Sequence, residues 1–266
     1  MKTLTDTQNQ SDNRKINIQK VGVKDVEIPL IIARKNAENQ TVYARAKMSV
    51  SLPHHFKGTH MSRFIEVLND YHQKNLVGVD IHEMLKCMCS RLDAKSAYLK
   101  FDFKYFIEKQ APATGLSALM SYDCFFEGTL NEEKYKFNLG AKVPLTTLCP
   151  CSKEISEHGA HNQRALVKVK VSYSESEHIW LEDLITLTES SGSAEVYSLL
   201  KREDEKFVTE QAFNNPKFVE DVLRDIVIKL ENHSAVDSFE VEIEAFESIH
   251  NHSAWAYQKR EKGVGN

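Results

Sequence analysis

With 266 residues, 41% of them apolar and 27% charged, the chain is long enough for one large domain or two small ones and apolar enough for a packed core. A formal net charge of -4 excludes the basic stripe of a general nucleic-acid binder, and no apolar run approaches the roughly 18 residues that cross a bilayer. The polar stretch Met1 to Lys20 has no signal-peptide core, and the five cysteines, odd in number, are not spaced like a secreted disulfide framework, so a reduced cytoplasm is the expected compartment.

Residues 1–20 read as a solvated arm, ordered against a partner subunit. Thr41 to Leu52 alternates, with Val42, Ala44, Ala46, Met48, Val50 and Leu52 on one side, and is expected to be a half-buried strand. Pro53 to Thr59 breaks it. Met61, Phe64, Ile65, Leu68 and Tyr71 then recur at helical spacing, and a second helix fits Asp80 to Leu92. Ala97 to Ile107 alternates again, so the first half reads strand, helix, helix, strand.

The second half repeats that order more loosely. Ser117 to Phe126 and Lys134 to Val143 form an expected hairpin around Asn131-Glu132-Glu133. A polar Cys/His loop follows, then a strand from Leu166 to Tyr173 and a helical stretch around Ala194 to Lys201. A stronger helix is expected from Asn215-Pro216, with Asn as N-cap, Pro as first residue and an apolar face of Phe218, Val219, Val222, Leu223, Ile226, Val227 and Leu230. Phe239 to Ile249 reads as the closing strand. Antiparallel strands with a helix pair on one face place the chain in the α+β class.

The densest chemistry lies in Thr146 to Arg164, where Cys149, Cys151, His158 and His161 surround the turn-formers Pro150 and Gly159. Thiolate and imidazole are ligands of zinc and of similar borderline metals. Cys149 and His161 can serve as such ligands with a third group and an open water position; the plainer reading is a buried thiol beside a surface histidine, and Cys151 and His158 compete for the role. Glu203 sits in the charge run Leu200 to Lys206, ordinarily a solvated helix face. Just upstream, Ser190-Ser191-Gly192-Ser193 reads either as a phosphate-binding helix start or as a plain turn. Glu220 lies in the first turns of its helix, where the dipole alone favours a carboxylate, but a carboxylate can also accept two adjacent N–H donors of a purine edge. His250 and His252 follow the expected last strand and can exchange protons near neutral pH. Lys57 and Arg63 flank a helix start at Thr59, an anion site or a basic turn.

The segments His55-Phe56-Lys57-Gly58-Thr59-His60-Met61-Ser62-Arg63-Phe64, Leu148-Cys149-Pro150-Cys151-Ser152-Lys153 with Gly159-Ala160-His161-Asn162-Gln163-Arg164, and Leu200-Lys201-Arg202-Glu203-Asp204-Glu205 resemble GTP cyclohydrolase I of the type IB subfamily. The Cys-Glu-His-His motif of type IA is absent. The likeness runs from about Gln8 to Trp255.

This resemblance implies a tunnelling fold of two modules, each an antiparallel sheet with two helices: 21–112 and 113–258, after an arm at 1–20 and before a tail at 259–266. It implies a homotetramer with active sites between subunits, and conversion of GTP and water to 7,8-dihydroneopterin triphosphate and formate. Its divalent metal (Zn2+, Mn2+ or Fe2+) falls on Cys149, His161 and Glu203, where bound water would ionise near roughly pH 7 rather than 16. Glu220 matches the purine-anchoring glutamate, while Lys57, Arg63, Lys201 and Arg202 are candidates for the triphosphate and His250 or His252 for proton transfer. Two rivals stand beside it. One is a nitrile reductase of the same fold with Cys149 as covalent nucleophile; the other is a non-catalytic metal-binding scaffold.

Overall fold

The computed structural model describes residues 8, 10–76, 78–173 and 177–262. Strand β1 (Ile18–Ile32) pairs antiparallel with β2 (Gln40–Leu52). β2 shows the expected alternation: Val42, Ala44, Ala46, Met48, Val50 and Leu52 are buried and Tyr43 is exposed. β1 was not foreseen. Its register slips between Ile18 and Val21 and again between Val23 and Val26, and Asp25 takes a left-handed φ of 57°, so its side chains do not keep a period of two. Gly22 lies against β2 so closely that a Cβ there would sit 2.0 Å from the Met48 carbonyl oxygen. Ahead of β1, the carbonyls of Gln8 and Gln10 accept from the N–H groups of Gly58 and Lys57; residues 1–7 and 9 of the expected arm lie outside the described residues.

Helix α1 (Met61–Tyr71) buries Phe64, Val67 and Leu68; the two-residue β3 (Asn75–Leu76) runs parallel to β1; α2 (Gly78–Leu92) buries Ile81, Met84, Leu85, Met88 and Leu92. Three long strands follow: β4 (Ser96–Gln110), β5 (Ser117–Asn131) and β6 (Lys134–Leu148). The expected hairpin turns at Glu132, whose φ is 56°. Then come α3 (Pro150–Ile155), β7 (Asn162–Tyr173), α4 (Leu181–Glu189), β8 (Ala194–Glu195), α5 (Arg202–Asn214), α6 (Val219–Glu231), β9 (Val236–Ala245) and β10 (Ala254–Glu261).

The chain divides into two compact units, Met1–Phe103 with Phe125–Asn138 and Lys104–Cys124 with Leu139–Asn266. β4, β5 and β6 are long enough to supply residues to both. In the first unit the strands run in the order β3, β1, β2, β4, β5, β6, with α1 against α2. In the second they run β4, β5, β6, β7, β9, β10, with β8 paired to β6 and α6 on β9.

Two expected helices change. Ala194 to Lys201 is not a helix: Ala194 is buried opposite Thr146, and Ser193 N–H donates to the Thr146 carbonyl, so the segment joins the sheet as β8. α6 begins at Val219, not Pro216. Asn215 closes α5, Lys217 N–H is taken by the Leu148 carbonyl at 3.0 Å, and the Asp221 carboxylate receives Phe218 N–H at 3.0 Å, which fixes the true start. The last strand is β10, an edge strand whose residues alternate between half-buried and exposed.

Candidate metal and substrate site

The end of β6 is held from several sides. Leu148 N–H donates to Ser193 Oγ at 3.1 Å, and the Leu148 carbonyl receives Lys217 N–H. The Leu148 side chain packs with Ala194 and Ala212, joined by Ala160 and Val208. Ala212 and Val208 lie on α5, and Leu148 and Ala160 immediately precede Cys149 and His161. The helix that carries Glu203 is therefore seated on the neighbours of both other expected ligands.

Cys149 is the N-cap of α3, with Pro150 in the first helical position, where a missing N–H costs nothing. Ser152 ties the segment together: its N–H points to Cys149 Sγ at 3.4 Å, its hydroxyl donates to the Cys149 carbonyl at 3.1 Å, and its Oγ receives His161 N–H at 3.2 Å. Cys149 N–H also donates to the His161 carbonyl at 3.1 Å. Cys149 and His161 are thus clamped together, both half-buried, whereas Cys151 and His158 are exposed. The His161 ring places Nδ1 3.0 Å from Gln163 Oε1 and 3.5 Å from Ser248 Oγ. Gln163 Nε2 lies 3.0 Å from Thr147 Oγ1 and 3.4 Å from Glu247 Oε1.

Glu203 is the second residue of α5 and is exposed. Its backbone is set by Asp204, whose fully buried carboxylate accepts from Ala113 N–H, Thr114 N–H and the Thr114 hydroxyl at 2.8 Å each, and from Lys201 N–H at 2.9 Å. Burial raises the Asp204 pKa, but these hydrogen bonds outweigh it and bring the carboxyl down to about 2. Among the described residues no group of three His, Cys, Asp or Glu side chains is placed to hold a metal ion. Within the chain the structure brings Cys149 and His161 together and leaves Glu203 outside that pair. The pair fits a borderline metal in kind: a sulfur, and an imidazole engaged through Nδ1.

A family model described as "Type I GTP cyclohydrolase folE2" matches residues 4–256. The chain belongs to that family. It is 55% identical over 267 residues to "GTP cyclohydrolase FolE2" of Geotalea uraniireducens, covering 99% of this chain and 97% of that protein. It is 55% identical over 253 residues to the protein of the same name from Syntrophotalea carbinolica (95% and 94%) and 48% identical to that of Magnetococcus marinus (96% and 95%). Among solved structures it is similar to a uricase from Arthrobacter globiformis (TM-score 0.55, 8% identity, 93% and 95% covered) and one from Bacillus fastidious (0.57, 8%, 92% and 93%). That likeness is of fold alone, and it is the tunnelling fold expected from the motifs. The nitrile-reductase and scaffold alternatives find no support among these relatives.

In this FolE2-family chain, Glu220 is the second residue of α6 and exposed; Asp221, not Glu220, caps the helix. Lys201 is the N-cap of α5 and Arg202 its first residue, both exposed. In the first unit, Lys57 Nζ lies 3.5 Å from Gln10 Oε1, and Arg63 Nη1 donates to the Arg91 carbonyl at 2.6 Å. His250 and His252 are exposed in the β9–β10 connection, their rings stacked with centroids 5.1 Å apart. Ser190 to Ser193 is not a helix start. Ser190 ends α4, where carbonyls rather than N–H groups are presented, Ser191 and Ser193 are buried, and the hydroxyls of Ser190 and Ser191 receive Lys229 Nζ at 2.8 Å. Gln163, which touches the His161 ring, and Thr147 and Glu247, which hold Gln163, were missed as a set. The available signal was the spacing of two between His161, just ahead of β7, and Gln163 within it. No described helix is long and apolar enough to cross a membrane.

Proposed function

We propose that this chain hydrolyses GTP to 7,8-dihydroneopterin triphosphate and formate, the first step of tetrahydrofolate biosynthesis. The observation that carries the reading is the family match over nearly the whole chain, with its Cys/His motif folded into one clamped pair at the adjoining ends of β6 and β7. Cys149 Sγ, the His161 imidazole and the Glu203 carboxylate are the groups that would hold a divalent metal, Zn2+, Mn2+ or Fe2+. When bound, the ion would supply a water ionised near neutral pH to attack guanine C8. Glu220, free of capping duty, accepts the two adjacent N–H donors of the guanine edge and is repelled by the N1 lone pair of adenine. Lys57, Arg63, Lys201 and Arg202 supply positive charge for the triphosphate, with Arg63 keeping its remaining guanidinium donors after the bond to Arg91. His250 or His252 exchanges protons during ring opening. The active assembly is a homotetramer with sites formed between copies, working in the cytoplasm, and the chain is organised as two modules, 21–112 and 113–258.

Purified protein with added Mn2+ or Zn2+ is expected to release formate from GTP and to stop on chelation. Cys149→Ala should lower kcat/KM by at least roughly 10³-fold, about 4 kcal/mol of transition-state stabilisation, with the far-ultraviolet circular dichroism unchanged. A Cys149→Ala protein that keeps its activity ends the metal assignment.

A further inference from the structure

We propose that Gln163, oriented by Thr147 and Glu247, is a positioning residue that fixes the proton of neutral His161 on Nδ1 and so presents Nε2 as the free lone pair. The inference rests on reading His161 as a metal ligand, because only then does a free Nε2 have a use. It is argued from groups that have no part in that reading.

The strand register supplies the geometry. β7 pairs with β9 from Tyr173↔Val236 to Ala165↔Ala245, and Phe246 N–H continues the ladder to the Arg164 carbonyl at 2.9 Å. On the other side, Cys149 N–H reaches the His161 carbonyl. Gln163 therefore lies between Thr147 of β6 and Glu247, two residues beyond β9, and two residues after His161, which immediately precedes β7.

The chemistry then allows one arrangement. An ionised carboxylate only accepts hydrogen bonds, so the amide end of Gln163 that faces Glu247 must be its NH2 group. That same Nε2 donates to Thr147 Oγ1, a buried group at the end of β6. The opposite end, Oε1, is an acceptor and lies 3.0 Å from His161 Nδ1. A favourable contact there requires a proton on Nδ1, and a neutral imidazole carries only one. Without this contact Nδ1 keeps only the Ser248 hydroxyl at 3.5 Å, which can donate as well as accept and so does not fix the proton on Nδ1. Glutamine can both donate to Glu247 and accept from His161; a carboxylate at 163 would face Glu247 with like charge.

The test uses the metal-free full-length protein, labelled with 15N at histidine and held at pH 8.5. Long-range 1H–15N correlations distinguish the tautomers, and the His161→Ala variant identifies the His161 signals. Wild type is expected to show Nδ1–H. Gln163→Leu should move the ring to a mixture or to Nε2–H, and should weaken Zn2+ binding, measured by competition with a chromophoric chelator, by about 10–100-fold. Gln163→Glu combined with Glu247→Gln keeps an acceptor towards Nδ1 and an amide donor across from it, and should restore both the tautomer and most of the affinity, which a merely structural role would not predict. An Nε2–H ring in wild type overturns the proposal. So does a Gln163→Leu protein with unchanged tautomer and unchanged affinity. If Gln163→Leu does not fold, the wild-type tautomer and the paired exchange decide. A wild type with Nδ1–H that binds no metal supports the role of Gln163 and removes His161 from the metal site.

Discussion

The two units bury different things. Among the described residues, the first unit buries the polar side chains of Ser49, Thr59 and Asn138; the second buries those of Thr147, Ser172, Thr188, Glu189, Ser191, Ser193 and Asp204. The first unit is held by apolar faces at regular spacing on α1, α2, β2 and the first half of β4. The second adds hydrogen-bonded polar groups, several of which fix irregular segments. Asp204 holds the start of α5. Lys109 joins Glu189 at 2.7 Å and Glu195 at 2.9 Å, and Tyr122 donates to Glu189 at 2.8 Å, which ties the end of α4 and β8 to the strands. A buried polar group is costly unless satisfied, so such groups specify one loop geometry where apolar packing would tolerate several. Two of them adjoin residues expected to do chemistry: Asp204 follows Glu203 at the start of α5, and Thr147 lies two residues before Cys149.

The largest expected effect breaks the polar side of this contrast. Burial raises the Glu189 pKa while Lys109 and Tyr122 oppose it. Lys109→Met leaves that carboxylate without its cation and should destabilise the second unit by about 3–5 kcal/mol. Both tryptophans, Trp180 and Trp255, belong to this unit, so tryptophan emission during urea unfolding reads it directly. A midpoint within error of wild type would mean that the buried network does not specify the loop. On the apolar side the effect is smaller. A Cβ on Gly128 would lie 2.4 Å from Ile81 Cγ2 and 2.9 Å from Leu85 Cδ1, both on α2. Gly128→Ala should cost about 1–3 kcal/mol by overpacking. Because the first unit has no tryptophan, hydrogen exchange of the α2 peptides is the measurement, and unchanged protection there would show that α2 has room to give.

The same contrast explains what was legible in the sequence. β2, α1, α2 and β4 were read within a few residues because burial alone sets their period. β1 was missed because its register shifts ahead of Val21 and Val26 break the alternation, and β10 because the short apolar stretch Ala254 to Tyr257 runs straight into Gln258, Lys259, Arg260 and Glu261, and as an edge strand it leaves Trp255 and Tyr257 exposed. In the second unit the errors fall where side chains and long-range partners decide. Ala194 to Lys201 has the composition of a helix, but Thr146 recruits its first residues to the sheet. Pro216 looks like a helix start, but Leu148 claims the Lys217 N–H and Asp221 caps Phe218. The Cys/His motif was visible as chemistry. Its clamp through Ser152 was not, since a hydroxyl three residues from one partner and nine from the other leaves no periodic trace.

The mildest perturbation changes no residue at all. Asp204 and Asp12 both have carboxyl pKa values of about 2, for different reasons: Asp12 is half-buried and held down by hydrogen bonds from Arg14, two residues away, while Asp204 is fully buried and held by backbone and hydroxyl donors, most of them from a distant segment. A carboxyl whose folded value lies below the unfolded value of about 3.9 contributes stability that is fully present above that pH and is lost as pH falls towards the folded value. For Asp204 the loss is expected between about pH 4 and pH 2, with nothing to see at neutral pH. Tryptophan emission should report the second unit weakening across that window. Asp204→Asn removes the titrating group, so its stability, lower throughout, should lose this portion of the pH dependence, while Asp12→Asn should leave the emission profile as it was. If Asp204→Asn keeps the wild-type slope between pH 4 and pH 2, the acid sensitivity of the second unit originates elsewhere and Asp204 is not the anchor of α5.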